Sequence, residues 1–189
     1  MDIGLFFGSF NPVHLGHLII ANYIAENTEY KKVWLVVSPQ NPFKQQKELL
    51  EAKMRLYLCN IAVEDNSNIE SSSIEFGLPT PSYTIDTLVH LKEKYPQHRF
   101  AIIMGEDNLK SLNKWKNYEK IISDHEIFVY RRAGEGSAET PQHPNIKILE
   151  MPLLDISASY IRQCIKEKKS IQYLVTEKVR EEIEKGGYY

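Results

Sequence analysis

His14 and His17 stand three residues apart in the stretch GSFNPVHLGH, behind a run of Gly8, Ser9, Phe10, Asn11 and Pro12. The chemistry open to such a corner is the capture of an anion. Gly8 lets the backbone turn tightly and come close to a ligand. Ser9 offers a hydroxyl and a backbone N–H, and Pro12 sets the chain just ahead of a helix. His14 and His17 fall on one face of the first helical turn, where free N–H groups and the helix dipole favour negative charge. Two imidazoles in that place suit a polyphosphate. A metal pair is the rival reading, but zinc-binding helices use i, i+4 histidines with a third ligand, and no third ligand is evident. A capped helix carrying two solvated histidines is the plain structural alternative.

A second stretch, ISASYIR, runs from Ile156 to Arg162. Ser157 or Ser159 can cap the helix that follows, and Arg162 projects from its first turns. A helix N-terminus with hydroxyls and an arginine is another cradle for phosphate. Capping alone would also explain the serines.

Both corners need rigid elements behind them. IGLFF (3–7), VWLVV (33–37), FAIIM (100–104), EIFVY (126–130) and IKILEM (146–151) are short apolar runs, the pattern of strands covered on both faces. IESSSIE (69–75) reads as a more polar edge strand. Helical spacing fills the intervals at 14–27, 45–65, 82–95, 106–115 and 118–123. Within 45–65, Leu50, Met54, Leu58, Ile61 and Ala62 share one stripe. Two more helices start at about Ser157 and about Val175. This alternation predicts a doubly wound, Rossmann-like α/β fold: a mostly parallel sheet with helices on both faces, as one domain over 1–189. Ligands of such sheets bind outside the carboxyl ends of the strands. Three of those ends carry polar or glycine signals: GSFNP, SPQNPFK and GEDN. AGEGSAETPQHPN (133–145) reads as a polar surface loop.

Composition narrows the classes. A chain of 189 residues with 42% hydrophobic content can bury one ordinary core. The net charge of -2 gives no reason to expect nucleic acid or an anionic membrane as a partner. No apolar run approaches the ~18 residues of a membrane span, and no secretory leader pattern precedes the first strand. Cys59 and Cys164 lie in helical apolar patterns without metal-ligand spacing, as reduced core thiols do. A cytoplasmic protein is the expectation; homo-oligomerisation is left open.

Together the two motifs resemble those of the nucleotidylyltransferase superfamily, G-[TS]-F-[DN]-P-x-H-x-G-H and I-S-[SA]-[TS]-x-x-R, at the expected separation. PSYTIDTL (81–88), MGEDNLKSLNKW (104–115) and VYRRAG (129–134) resemble the nicotinate-nucleotide adenylyltransferase branch. The resemblance covers essentially the whole chain. It departs from the family at Phe7, where a second glycine is common, and at Phe43, where a histidine often precedes the lysine.

The resemblance implies adenylyl transfer from ATP to nicotinate mononucleotide, with pyrophosphate leaving. It implies that Gly8, Ser9, the backbone of Phe10, His14 and His17 meet the ATP phosphates. Ser157, Ser159 and Arg162 then close over them from the C-terminal helices, and Lys44 reaches phosphate from the second strand's loop. Gly105 and Asp107 face the ribose or base of ATP, with Arg132 on the adenine or phosphate side; Asp107 could equally cap a helix. Trp115 would stack on the pyridine ring, while Thr84 and the backbone near Lys116 would supply donors to its carboxylate; Tyr83 and Asp86 lie nearby. Of these, His14, His17, Lys44 and Arg162 would act on the reacting phosphates. Magnesium would bind mainly through ATP phosphates, with no protein metal site.

Rival readings are the same chemistry on phosphopantetheine or nicotinamide mononucleotide, a nucleotide-sensing module without turnover, and a redox enzyme with a bound dinucleotide. The last is disfavoured because there is no GxGxxG fingerprint.

Overall fold

The apolar runs lie side by side in one parallel sheet. The computed structural model describes residues 1–39, 49–131, 143–152 and 155–189. Its strands are β1 (Asp2–Gly8), β2 (Lys32–Val37), β3 (Ile69–Ser72), β4 (Arg99–Gly105), β5 (Ile127–Tyr130) and β6 (Ile146–Ile148). Their order is β3-β2-β1-β4-β5-β6, and every pair is parallel. The order reverses at β1, which pairs with β2 through Gly8↔Val37 and with β4 through Phe6↔Ile103. A sheet wound this way opens a crevice beyond the carboxyl ends of β1 and β4.

Alternation along each strand feeds two cores. One face takes Phe6, Leu35 and Ile103 against α1 (Leu15–Asn27), α2 (Ala52–Val63), α6 (Ala158–Lys166) and α7 (Glu177–Gly186). The other takes Leu5, Val36 and Ile102 against α3 (Thr84–Lys94), α4 (Glu106–Lys110) and α5 (Tyr118–Asp124). Leu5, Leu35 and Ile102 are fully buried, and cutting any one back to alanine would cost about 2–5 kcal/mol. The same packing holds the site-bearing turns rigid.

Cys59 and Cys164 are buried and unpaired with each other, and burial pushes the Cys59 thiol up. No helix among the described residues is long and apolar enough to cross a membrane.

Three elements differ from the expectations of the sequence. The edge strand stops at Ser72, and Ile74–Gly77 is a 3-10 turn, because the Glu75 carboxylate turns inward to take two hydroxyl donors. The helix expected over 45–65 starts at Ala52, since the Glu51 backbone, at φ -49° and ψ 139°, is not helical; residues 40–48 lie outside the described part. The strand expected over 146–151 ends at Ile148, which pairs with Val129, one residue short of the end of β5.

Candidate active site

The turn between β1 and α1 is built around an aromatic ring. Phe10 is buried and holds a left-handed backbone, φ 46°. Its ring meets Phe6 and His17 edge-on, at 5.9 and 4.9 Å between centroids. A Cβ on Gly8 would lie 2.9 Å from that ring. The space that Gly8 frees is therefore filled by Phe10, where the sequence pattern suggested a ligand.

Two arginines grip this turn from different elements. Arg55, fully buried in α2, donates to the Ser9 carbonyl at 2.5 Å and the Ser38 carbonyl at 2.9 Å. Arg162, in α6, donates to the Asn11 carbonyl at 2.8 Å and to Ser159 Oγ at 3.4 Å. The Asn11 side chain in turn accepts from the Leu50 N–H at 3.0 Å. Ser9 is buried, and its hydroxyl has no partner among the described residues.

His14 is buried and His17 is half-buried. His14 is the N-cap of α1 rather than a helical residue, and it is only 6% exposed. Its backbone N–H donates to His17 Nδ1 at 3.2 Å. That bond places the proton of neutral His17 on Nε2. The two rings stack at 3.7 Å with 26° between planes. Gly16 makes the stack possible, because a Cβ there would lie 3.0 Å from the His14 ring. Both histidines line a narrow, open cleft with Tyr130, Arg131, Met151 and Ile156. Among the described residues no group of three His, Cys, Asp or Glu is clustered for a metal ion.

The C-terminal motif reaches the same place. Ser157 caps α6, its Oγ accepting from the Tyr160 N–H at 3.2 Å, and Ser159 stands beside Arg162. At the end of β4, Gly105 is the N-cap of α4, so Asp107 is not; it lies in the first turn and is exposed. Its carboxylate folds back to where a Gly105 side chain would sit, with the Tyr130 hydroxyl next to it.

On the other face, Lys116 Nζ donates to both Asp86 carboxylate oxygens at 2.9 Å and lies 5.2 Å over the Tyr83 ring. Thr84 opens α3, so its N–H is among those a helix leaves without an intrahelical acceptor. Trp115 is half-buried against the second core. Glu75, 2% exposed, fixes this corner by accepting from Ser82 Oγ and Thr87 Oγ1, both at 2.9 Å.

The structure thus brings Ser9, Phe10, His14, His17, Ser159 and Arg162 together, and separately Tyr83, Asp86 and Lys116. Lys44, Phe43 and Arg132 lie outside the described residues. Arg55, Glu75, Tyr130 and Arg131 do not stand out in the sequence as site residues. Arg55 left one signal, a charge one turn before Leu58 and Cys59 on a buried helical face. Tyr130 and Arg131 stand in the tandem YRR, of which the resemblance singles out Arg132.

Comparison with known proteins agrees with this geometry. A cytidylyltransferase-like family model matches residues 5–164, a span holding both motifs. The chain is 50% identical over 191 residues to a probable nicotinate-nucleotide adenylyltransferase of Flavobacterium johnsoniae, covering 100% of this chain and 99% of that one. A relative of the same name from Cytophaga hutchinsonii is 49% identical over 189 residues, covering 100% and 98%. The structure of Plasmodium falciparum nicotinic acid mononucleotide adenylyltransferase complexed with NaAD has the same fold, with TM-score 0.84 and 20% identity, covering 98% of this chain and 96% of that one. Matched along its whole length by relatives of about half identity, with both motifs inside the family region, the chain belongs to the nicotinate-nucleotide adenylyltransferases of the cytidylyltransferase-like family.

Proposed function

We infer that this protein transfers the adenylyl group of ATP to nicotinate mononucleotide, giving nicotinate adenine dinucleotide and pyrophosphate, a step of NAD biosynthesis. One observation carries the reading: the Arg162–Asn11 hydrogen bond joins the two motifs around one histidine-lined cleft. An oxygen of the acceptor's 5′-phosphate forms the new bond to the α-phosphorus. The bond from that phosphorus to the α–β bridging oxygen breaks, and pyrophosphate leaves with the electron pair. The nucleophile is already an anion, so no base has to remove a proton from it. Catalysis reduces to holding the groups in line and stabilising the charge that grows on the leaving group.

The residues divide accordingly. His17 Nε2–H, Ser9, the Phe10 N–H and His14 face the phosphates from the first turn, while Arg162 and the capped end of α6 with Ser157 and Ser159 face them from the other side. Lys44 adds charge to the same end. Gly105, Asp107, Arg131 and Arg132 serve the adenosine end. Trp115 stacks on the pyridine ring, and the N–H groups at Thr84 and Lys116 select a carboxylate; the amide analogue would set its own NH₂ against those donors, at about 1–3 kcal/mol per unpaired group. The donor set of this chain fits magnesium arriving on the nucleotide, with phosphate oxygens as most of its ligands. When bound, the ion neutralises charge along the triphosphate. We place the protein in the cytoplasm, where ATP is at hand and thiols stay reduced.

The test is direct. Protein, ATP and magnesium are mixed with nicotinate mononucleotide, nicotinamide mononucleotide or phosphopantetheine in separate reactions, and pyrophosphate is measured. Release with nicotinate mononucleotide, and much less with the others, is expected. No release with it would overturn the reading.

A further inference from the structure

Arg55 is the most deeply buried charge in the described protein, with 0% exposure. Its hydrogen-bond partners are neutral backbone carbonyls: Leu50 on Nε at 2.8 Å, Ser9 and Ser38 on Nη1 at 2.5 and 2.9 Å, and Pro39 on Nη2 at 3.1 Å. No carboxylate is among those partners. Burial pulls its pKa below the usual arginine value, yet a guanidinium keeps its proton in proteins. A cation buried without an anion is costly, and a neutral side chain would suffice if the only task were to join three chain segments.

What lies next to it explains the charge. The Ser9 carbonyl belongs to the Ser9–Phe10 peptide, which is planar and trans. In a trans peptide the N–H points opposite to the C=O. Drawing the Ser9 oxygen onto Arg55 therefore turns the Phe10 N–H away from Arg55. The same peptide precedes a residue held at φ 46°, a conformation that a phenylalanine adopts only when its surroundings enforce it.

We propose that Arg55 is a positioning residue for the triphosphate: it aims the Phe10 N–H at the anion and holds a fixed positive charge behind the Ser9–Phe10 peptide. This rests on the adenylyl-transfer reading for the identity of the anion. Arg55 touches no substrate; it acts through the peptide it orients, whose dipole it also strengthens.

ATP binding is read directly, by calorimetry without acceptor, for wild type, Arg55→Lys and Arg55→Met. Both variants are first checked by thermal melting. We expect ATP to bind at least about tenfold more weakly to Arg55→Met, with Arg55→Lys between it and wild type, and KM for the acceptor changed less than twofold. Folded variants that bind ATP as tightly as wild type would overturn the proposal. A second measurement needs no variant at Arg55. In the wild type, titrating ATP should shift both the Arg55 Nε–H and the Phe10 amide resonances, and unmoved resonances at saturating ATP would also overturn it. If ATP binding follows Arg55 but the wild type releases no pyrophosphate, the function falls and this inference stands.

Discussion

Arg162 donates to the backbone carbonyl of Asn11 across 151 residues of sequence, at 2.8 Å. This bond is how a helix near the C-terminus comes to share a site with the first turn of the chain. It also decides the geometry of Arg162. One terminal nitrogen is committed to the turn, and the other lies 3.4 Å from Ser159 Oγ, so both ends of the guanidinium have a partner. With Arg55 gripping Ser9 from beneath, the turn is held at two nearby carbonyls by two cations. An anion-binding loop held this way loses little entropy when its ligand arrives.

Gly8 should tolerate no side chain. In Gly8→Ala the new Cβ would meet the Phe10 ring, which is buried and fixed by Phe6 and His17. Overpacking of this kind costs about 1–3 kcal/mol. Adding Phe10→Leu should recover part of the loss, a coupling that urea melts of the double-mutant cycle would measure. A Gly8→Ala protein as stable as wild type would show that the ring is free to move.

Glu75 is expected to matter for the acceptor and not for ATP. Its carboxylate holds Ser82 and Thr87, which flank Tyr83 and Thr84. Glu75→Ala leaves the buried Thr87 hydroxyl without this partner, at about 1–3 kcal/mol of stability. It should raise KM for nicotinate mononucleotide while KM for ATP stays near the wild-type value. Equal changes in both constants would point to general loosening instead.

The rim of the sheet gives a stability test with a definite sign in pH. Arg99 holds the Asp2 carboxyl below the usual carboxylate range, first by a direct hydrogen bond and then by its charge. A group whose folded pKa is depressed stabilises the fold above its unfolded pKa, about 3.9 for aspartate, and loses that effect as pH falls through the folded value. Asp2→Asn should therefore melt below wild type at pH 7, and the difference should vanish in acid below the folded pKa. The pair is exposed, so the shift at pH 7 will be small and will shrink in high salt. A difference that persists at the lowest pH would contradict the assignment.

Much of this molecule is legible in its sequence. Continuous Val, Ile, Leu and Phe in β1, β2, β4 and β5 carries the fold, because a strand buried on both faces admits little else. The polar alternation of 69–72 marks an edge strand, and it is one. The two motifs carry the candidate site because their chemistry is local, a turn or a cap of a few residues. Arg55 and Glu75 are illegible as site residues for the opposite reason. Their partners come from Ser9, Ser38, Pro39 and Leu50, or from Ser82 and Thr87, and only the folded chain assembles them. The glycines are conspicuous but ambiguous. Gly8 and Gly105 signal space, and sequence alone does not tell a ligand from the Phe10 ring or the Asp107 carboxylate.

The most direct measurement is the turnover number for pyrophosphate release by His17→Ala with ATP, magnesium and saturating nicotinate mononucleotide. His17 offers Nε2–H because its Nδ1 accepts from the His14 backbone. Removing one preorganised donor to a developing charge costs about 10²–10³ in kcat. We expect a fall of that size with the melting temperature little changed. A folded His17→Ala protein turning over at nearly the wild-type rate would contradict the placement of this imidazole at the leaving pyrophosphate.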